Sequence, residues 1–183
     1  MEAYDICRNH VHRRTKLLER EAVMETLGSL HDKLSIVNIR LNVLKQQLLS
    51  TGWSDRRRNE LSELYPLVDS QRSDLELEIR QLIEAAERVD SNMKLEEPKY
   101  KIYQGESASG VGFNTKEEAI LHLKEANQIL WNLEDQRRDK SKSDSEIRQI
   151  CDDVAKYNRI RNDTMDQINM LFHHAVSSRK MQQ

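Results

Sequence analysis

The chain has 183 residues, of which 33% are charged and 37% hydrophobic, with only 5 Gly and 2 Pro. A chain of this length can bury one substantial core, and this composition is typical of long amphipathic helices. The formal net charge is -2 at pH 7. It excludes a global attraction to nucleic acid or to an anionic membrane, so either contact would need a local basic patch.

Location and redox state follow from what the sequence lacks. No run of about 18 apolar residues predicts a membrane span, and the N-terminal residues lack the apolar core of a signal peptide. Cys7 and Cys151 are too few for a disulfide framework. We therefore expect a cytoplasmic protein with reduced thiols and no membrane partner, and nucleic acid is disfavoured as a partner.

The first predicted helix carries apolar residues at unbroken three- and four-residue spacing from Leu27 to Leu48. Such a seam is typical of a long helix packed at a shallow angle. The pair Thr51-Gly52 should end this helix, because glycine is the usual residue at a helix C-terminus.

The second predicted helix begins at Ser54 or Asp55, since both residue types cap helix N-termini. Its apolar stripe runs from Leu61 to Val89. Pro66 lies inside this stripe and should kink the helix or delay its start. We expect the first two helices to exceed about 35 residues each, longer than the average globular helix.

The helical pattern stops between about residues 92 and 114, which form a connector rich in glycine towards its end. Thr115 and Glu118 then make a capping box that begins the third helix. A polar linker follows it, and the fourth helix begins near Ser143 or Asp144.

The two halves of the sequence match when one is shifted by 89 residues without a gap. The shift pairs leucines, but also Asn38 with Asn127 and Arg72 with Arg161. We interpret the match as an internal duplication, with repeats at about 27–90 and 116–176. The chain is therefore predicted to be a single all-α domain, residues 1–183, in which tandem-duplicated long helical hairpins form a four-helix bundle.

Three segments of the sequence carry a resemblance to a known family. They are Asp32-Lys-Leu-Ser-Ile36, Asn127-Gln-Ile-Leu-Trp-Asn-Leu-Glu-Asp135 and Asn158-Arg-Ile-Arg-Asn-Asp163. The chain resembles an uncharacterised two-repeat helical family of bacterial and phage proteins, over roughly residues 30 to 170. The resemblance implies an all-helical fold and, in cellular members, a frequent link to surface-glycan gene clusters, but no established activity. Asn132 departs from the His or Asp that is common at its place in that family.

Polar residues at three- and four-residue spacing share one side of the third helix, and others do so on the fourth. These candidate ligand-binding residues are Asn127, Trp131, Glu134, Asp135, Arg138, Asn158, Arg161, Asn162, Asp163 and Asp166. Two interpretations stay open. They form buried polar networks that fix the register of the hairpins, with Arg161 paired to Glu134, Asp135 or Asp163 and an equivalent network at Asn38 and Arg72. Alternatively, they form a pocket, because Trp131 and the acidic pair have no counterpart in the first repeat.

The favoured function is a non-enzymatic interaction or regulatory protein of phage or bacterial origin that binds a protein partner. The alternative is a binder or enzyme for a small anionic ligand, such as a nucleotide or nucleotide-sugar. No catalytic residue, metal ligand or cofactor is assigned. We also expect a homodimer, with Leu17, Leu18 and Val23 in the interface. The run Arg56-Arg57-Arg58 is either an anion or partner contact or a solvated helix end.

Overall fold

The computed structural model describes residues 25–88 and 112–182. They form four helices, α1 Leu27–Leu49, α2 Asp55–Ala86, α3 Lys116–Arg137 and α4 Asp144–Lys180. No strand occurs among these residues, so the all-α class is confirmed. No helix in the same part of the chain is long and apolar enough to cross a membrane.

Each helix begins after a Ser or Thr cap whose hydroxyl accepts a hydrogen bond from the backbone N–H three residues on. The caps are Thr26, Ser54, Thr115 and Ser143. The predicted capping box of α3 is confirmed, and α4 begins with a second one. Both caps of the first hairpin lie 89 residues before those of the second. The helix starts therefore follow the register of the proposed duplication, and superposition of the hairpins stays a prediction.

Two expectations about α1 and α2 are wrong. The helices have 23 and 32 residues, because the Thr26 cap begins α1 and Glu87 ends α2. Pro66 does not delay the start of α2, since the helix continues through it from Asp55, and the kink stays a prediction. Pro66 is exposed, so its ring projects away from the packed side of the helix. Gly52 follows α1 with a φ of 105°, a conformation that favours glycine.

The helices pack as two hairpins, α1 with α2 and α3 with α4, and α1 also contacts both helices of the second hairpin. One buried cluster draws on all four helices at the end where α1 and α3 begin. It contains Leu27, Leu30, Ile79, Ala86, Ala119, Leu123, Ile168, Phe172 and Val176. A second buried cluster belongs to α1 and α2 alone and contains Leu41, Leu44, Leu61 and Val68. The four-helix core is therefore concentrated at one end, with α1 at its centre.

Gly28 is the point of closest approach between α1 and α4. Its backbone N–H donates to Asn169 Oδ1 at 2.7 Å, and Asn169 Nδ2 donates to Thr26 Oγ1 at 3.1 Å. A Cβ at Gly28 would lie 2.5 Å from the Met165 carbonyl oxygen, so a side chain would push the two helices apart.

We predict that Gly28→Ala lowers the free energy of unfolding by about 1–3 kcal/mol, because overpacking outweighs the gain in helix propensity. Urea titration followed by circular dichroism measures this change. Gly112→Ala is the matched control, because a Cβ there meets nothing within 4 Å and should leave stability nearly unchanged. A Gly28→Ala variant as stable as the parent would contradict the described packing of α1 on α4.

The residues proposed for a dimer interface, Leu17, Leu18 and Val23, lie outside the described residues. Most of the predicted connector at 92–114 does so as well. The homodimer and the role of the connector stay predictions.

Candidate functional site

A buried carboxylate, Asp32 of α1, joins three of the four helices. Arg161 of α4 donates to it through both Nε, at 2.7 Å from Oδ1, and Nη2. Asn127 of α3 donates to the same Oδ1 at 2.9 Å and also to Ser35 Oγ. The Ser35 hydroxyl in turn donates to the Asp32 carbonyl oxygen at 2.9 Å. This set of residues, Asp32, Ser35, Asn127 and Arg161, is called the Asp32 network below.

Burial makes the Asp32 network energetically demanding. Asp32 is 5% exposed and Asn127 is 4% exposed, so water cannot replace a lost partner. A buried carboxylate that loses its cation is strongly destabilising, whereas the intact bidentate pair is well satisfied. The hydrogen bond to Asp32 raises the pKa of Arg161, although burial of the guanidinium opposes this rise. The Arg161 side chain keeps 28% of its surface exposed, and this open part faces the cleft described next.

An open cleft of about 310 Å³ lies beside the network, between α3 and α4, with Ile36 of α1 in its wall. Its other lining residues are Asn127, Leu130, Trp131, Glu134, Asp135, Arg138, Asn158 and Arg161. Seven of the ten candidate residues from the sequence therefore line one cleft. Asn127 is buried, Trp131 and Asn158 are half-buried, and Asp135 and Arg138 are exposed at the rim.

The remaining three candidates do not line the cleft. Asn162 is exposed, and Asp163 and Asp166 are half-buried on α4. The carboxylate that binds Arg161 is also different from the predicted one. It is Asp32 of α1, whereas the sequence interpretation paired this guanidinium with Glu134, Asp135 or Asp163.

Sequence reasoning missed Asp32 and Ser35 as partners of the candidate residues. Both lie in the Asp32-Lys-Leu-Ser-Ile36 segment that carries part of the family resemblance. A second signal was present in the spacing, because Asp32, Ile36, Ile39 and Val43 repeat every three or four residues along α1. Ile39 is buried and Ile36 and Val43 are half-buried, so α1 buries a second side in addition to its leucine seam.

The equivalent pair in the first hairpin makes different contacts. Arg72 Nη2 lies 2.9 Å from Asp69 of its own helix, and Arg72 Nε is 4.0 Å from Glu76. That Nε is buried without a hydrogen-bond partner among the described residues. The positions that match Asp32 and Ser35 hold Leu121 and Lys124, which supply no carboxylate. A network joining helices of both hairpins is thus present at Arg161. The predicted copy at Asn38 and Arg72 is not formed by the contacts of Arg72 with other described residues, which are Asp69 and Glu76 of its own helix.

The arginines around the cleft each have an acidic neighbour. Arg137 Nη2 lies 2.8 Å from Glu134, and Arg138 Nη1 lies 3.7 Å from Asp135. Together with the Asp32–Arg161 pair, these contacts balance positive and negative charge along the cleft wall. The cleft therefore offers hydrogen-bond donors and an aromatic ring without a surplus of positive charge.

His31, next to Asp32 on α1, adds no charge to this region at neutral pH. Burial of the imidazole, together with repulsion by Lys124 and Lys116, lowers the pKa of His31 to about 4. The imidazole is therefore neutral at pH 7.

Comparison with models of known families, with curated proteins and with solved structures found no match for this chain. The resemblance to a two-repeat helical family stays an expectation. Within residues 25–88 and 112–182, no group of three or more His, Cys, Asp or Glu side chains could hold a metal ion.

We predict that Arg161→Ala lowers the free energy of unfolding by about 3 kcal/mol, because it leaves Asp32 buried without its cation. Chemical denaturation measures the change. Arg72→Ala is the matched control at the equivalent position of the first hairpin. It should cost less than about 1 kcal/mol, since Arg72 pairs only with partly exposed carboxylates of its own helix. Equal losses in the two variants would contradict a special role of Asp32.

Proposed function

We propose that the protein is a non-enzymatic interaction protein whose cleft receives an apolar side chain from a segment of a protein partner. The observation that carries this proposal is the make-up of the cleft. Ile36, Leu130 and Trp131 supply apolar lining, and polar groups stand around it at Asn158 and Arg161. Such a mixture of an apolar floor and a few placed polar groups is typical of binding sites.

Preorganisation supports the same proposal. Arg161 is held by two hydrogen bonds to Asp32, and Asn127 is held by Asp32 and Ser35, so neither side chain must be ordered when a partner arrives. Trp131 is half-buried and offers a large rigid surface. Tryptophan and arginine are enriched among the residues that contribute most to protein–protein affinity. A cleft of about 310 Å³ is large enough for one or two large side chains.

The pairing of cleft arginines with carboxylates disfavours the alternative of a small anionic ligand. A site for phosphate or carboxylate needs cations that are free to pair with the ligand. Here Arg161 is already paired with Asp32, and Arg138 has Asp135 beside it. Glu134 and Asp135 also line the cleft and would repel an anion. The same groups can accept hydrogen bonds from the backbone of a bound peptide segment.

Peptide selection tests the proposal directly. A displayed random-peptide library is selected against the whole chain and then measured against Trp131→Ala. We expect recovered peptides to share a large apolar or aromatic residue, and removal of Trp131 to weaken their binding at least about tenfold. Trp53→Ala is the matched control, because the only other tryptophan lies outside the cleft and its loss should not change these affinities.

A thermal-shift panel of nucleotides and nucleotide-sugars separates the two functions. A ligand at 100 times its dissociation constant stabilises the folded state by about 2.7 kcal/mol, which is readily seen in melting. No shift is expected for the wild-type chain. A shift that disappears in Trp131→Ala would overturn the proposal in favour of a small anionic ligand.

A further inference from the structure

The turn between α1 and α2 exposes two large apolar side chains at the end of the first hairpin. Leu49 is 76% exposed and Trp53 is 42% exposed. The described residues begin at 25 beside the start of α1, end at 88 beside the end of α2, and resume at 112 beside the start of α3. The turn therefore lies at the opposite end of the hairpin from these breaks. The surface formed by residues 49–58 is called the hairpin tip below.

Three arginines follow Trp53 in the hairpin tip, at positions 56 to 58. The Arg57 guanidinium lies 6.0 Å from the centre of the Trp53 ring, within the range of a cation–π contact. Arg56 and Arg57 share Glu60, at 3.1 and 3.3 Å. Arg58 is exposed and makes no ion pair with another described residue. The hairpin tip thus combines exposed apolar and basic groups.

The second hairpin joins its two helices without residues of this kind, through a turn of different backbone conformation that lacks the positive φ of Gly52. At the positions that match Leu49, Trp53 and Arg57, the second hairpin has Arg138, Lys142 and Glu146. Both turns lead into a helix through a Ser cap, Ser54 in one and Ser143 in the other. A short connection between two helices of this fold can therefore present polar side chains alone, and the large apolar side chains belong to the first hairpin.

Helix electrostatics also argue against a structural role for the arginines. The N-terminus of a helix carries partial positive charge, so acidic residues stabilise the first turn and basic residues destabilise it. In α4 the first turn holds Asp144 and Glu146. In α2 it holds Asp55 followed by Arg56 and Arg57, which runs against this preference. These basic residues oppose the helix dipole and lie next to exposed apolar side chains, a combination that indicates a binding surface.

We propose that the hairpin tip docks on an anionic phospholipid surface, with Trp53 and Leu49 entering the interfacial region and Arg58, which has no ion pair with another described residue, contacting headgroup phosphates. A bilayer surface accepts exposed apolar side chains without a complementary pocket, and tryptophan is favoured at the headgroup level. Basic side chains beside it are attracted to the negative surface potential of the bilayer. A nucleic acid would pair with the arginines but would leave the aliphatic Leu49 without an apolar contact. This surface shares no residue with the lining of the cleft. Because the whole chain has a net charge of -2, attraction to an anionic bilayer must come from the local basic patch.

Vesicle binding tests this inference. The whole chain is mixed with phosphatidylcholine vesicles that contain or lack phosphatidylserine, and sedimentation measures the bound fraction. We expect binding only to the phosphatidylserine vesicles, weakened by added salt. Tryptophan emission should shift to the blue and be quenched by a quencher in the lipid chains. Trp53→Phe should still bind but lose this quenching, because the remaining tryptophan, Trp131, lies in the cleft.

Tip variants make the test specific. Leu49→Ser combined with Trp53→Ser should abolish binding, while circular dichroism confirms the fold. Arg58→Gln should weaken binding about fivefold, the effect of one basic residue near an anionic surface. Lys142→Gln, at the position equivalent to Trp53 in the second hairpin, should bind like the parent. Absence of binding to phosphatidylserine vesicles, or binding that survives the double substitution, would overturn the inference. Preferential binding to single-stranded RNA over vesicles would overturn it too, and would reassign the tip to nucleic acid.

Discussion

The buried carboxylate of Asp32 is the constraint on which the arrangement of the two hairpins depends. It lies on α1, the helix that contacts all the others, and it accepts hydrogen bonds from α3 and α4. Apolar packing between helices tolerates small shifts, whereas a bidentate ion pair has a fixed geometry. Asp32 therefore fixes how the second hairpin lies against α1. It does so at a place where a misplaced helix would leave a buried charge unpaired.

The same constraint shapes the cleft. Arg161 and Asn127 belong both to the Asp32 network and to the cleft lining, so these polar groups of the cleft are already held in place. The structural and the functional interpretations of these residues are therefore compatible. One face of Arg161 satisfies a buried carboxylate, and its exposed part is open to the cleft.

Much of the fold could be predicted from the sequence because it depends on local signals. The caps Ser54, Thr115 and Ser143 gave the starts of α2, α3 and α4, and the apolar spacing gave the stripes that pack, since both signals act within a single helix. The length of the first two helices was overestimated, because apolar spacing alone does not show where a cap such as Thr26 interrupts it. Pro66 did not delay the start of α2, since a proline on the exposed side can lie within a continuous helix.

The site could be predicted in part, and its failures have two origins. Four candidates at three- and four-residue spacing on α3 share a side of one helix, so their meeting in the cleft follows from helix geometry. Asn162 and Asp163 follow Arg161 directly, and a rotation of about 100° per residue turns them away from the cleft. Asp32 was missed because comparison of the repeats pairs equivalent positions, whereas the network joins positions that are not equivalent. Its counterpart in the second repeat is Leu121, which carries no charge.

The two repeats differ where binding is proposed. The cleft uses Trp131 and an acidic pair found only in the second repeat, and the hairpin tip uses Trp53 and arginines found only in the first. Shared features, such as the caps and the apolar seams, serve the fold in both halves. Some features of one half alone, such as Asp32 and Gly28, serve packing, whereas Trp53 and the arginines beside it are exposed and make no contact with the core. Exposed or cleft-lining side chains of this second kind are therefore the candidates for binding.

A double-mutant cycle between Asp32 and Arg161 tests the central claim most directly. The free energies of unfolding of Asp32→Asn, Arg161→Gln and the double variant are compared with that of the parent chain. We predict a coupling energy of about 2–3 kcal/mol, because the first substitution already removes the ion pair that the second would break. Additive losses, with coupling below about 0.5 kcal/mol, would contradict the account, since residues without a shared interaction behave in that way.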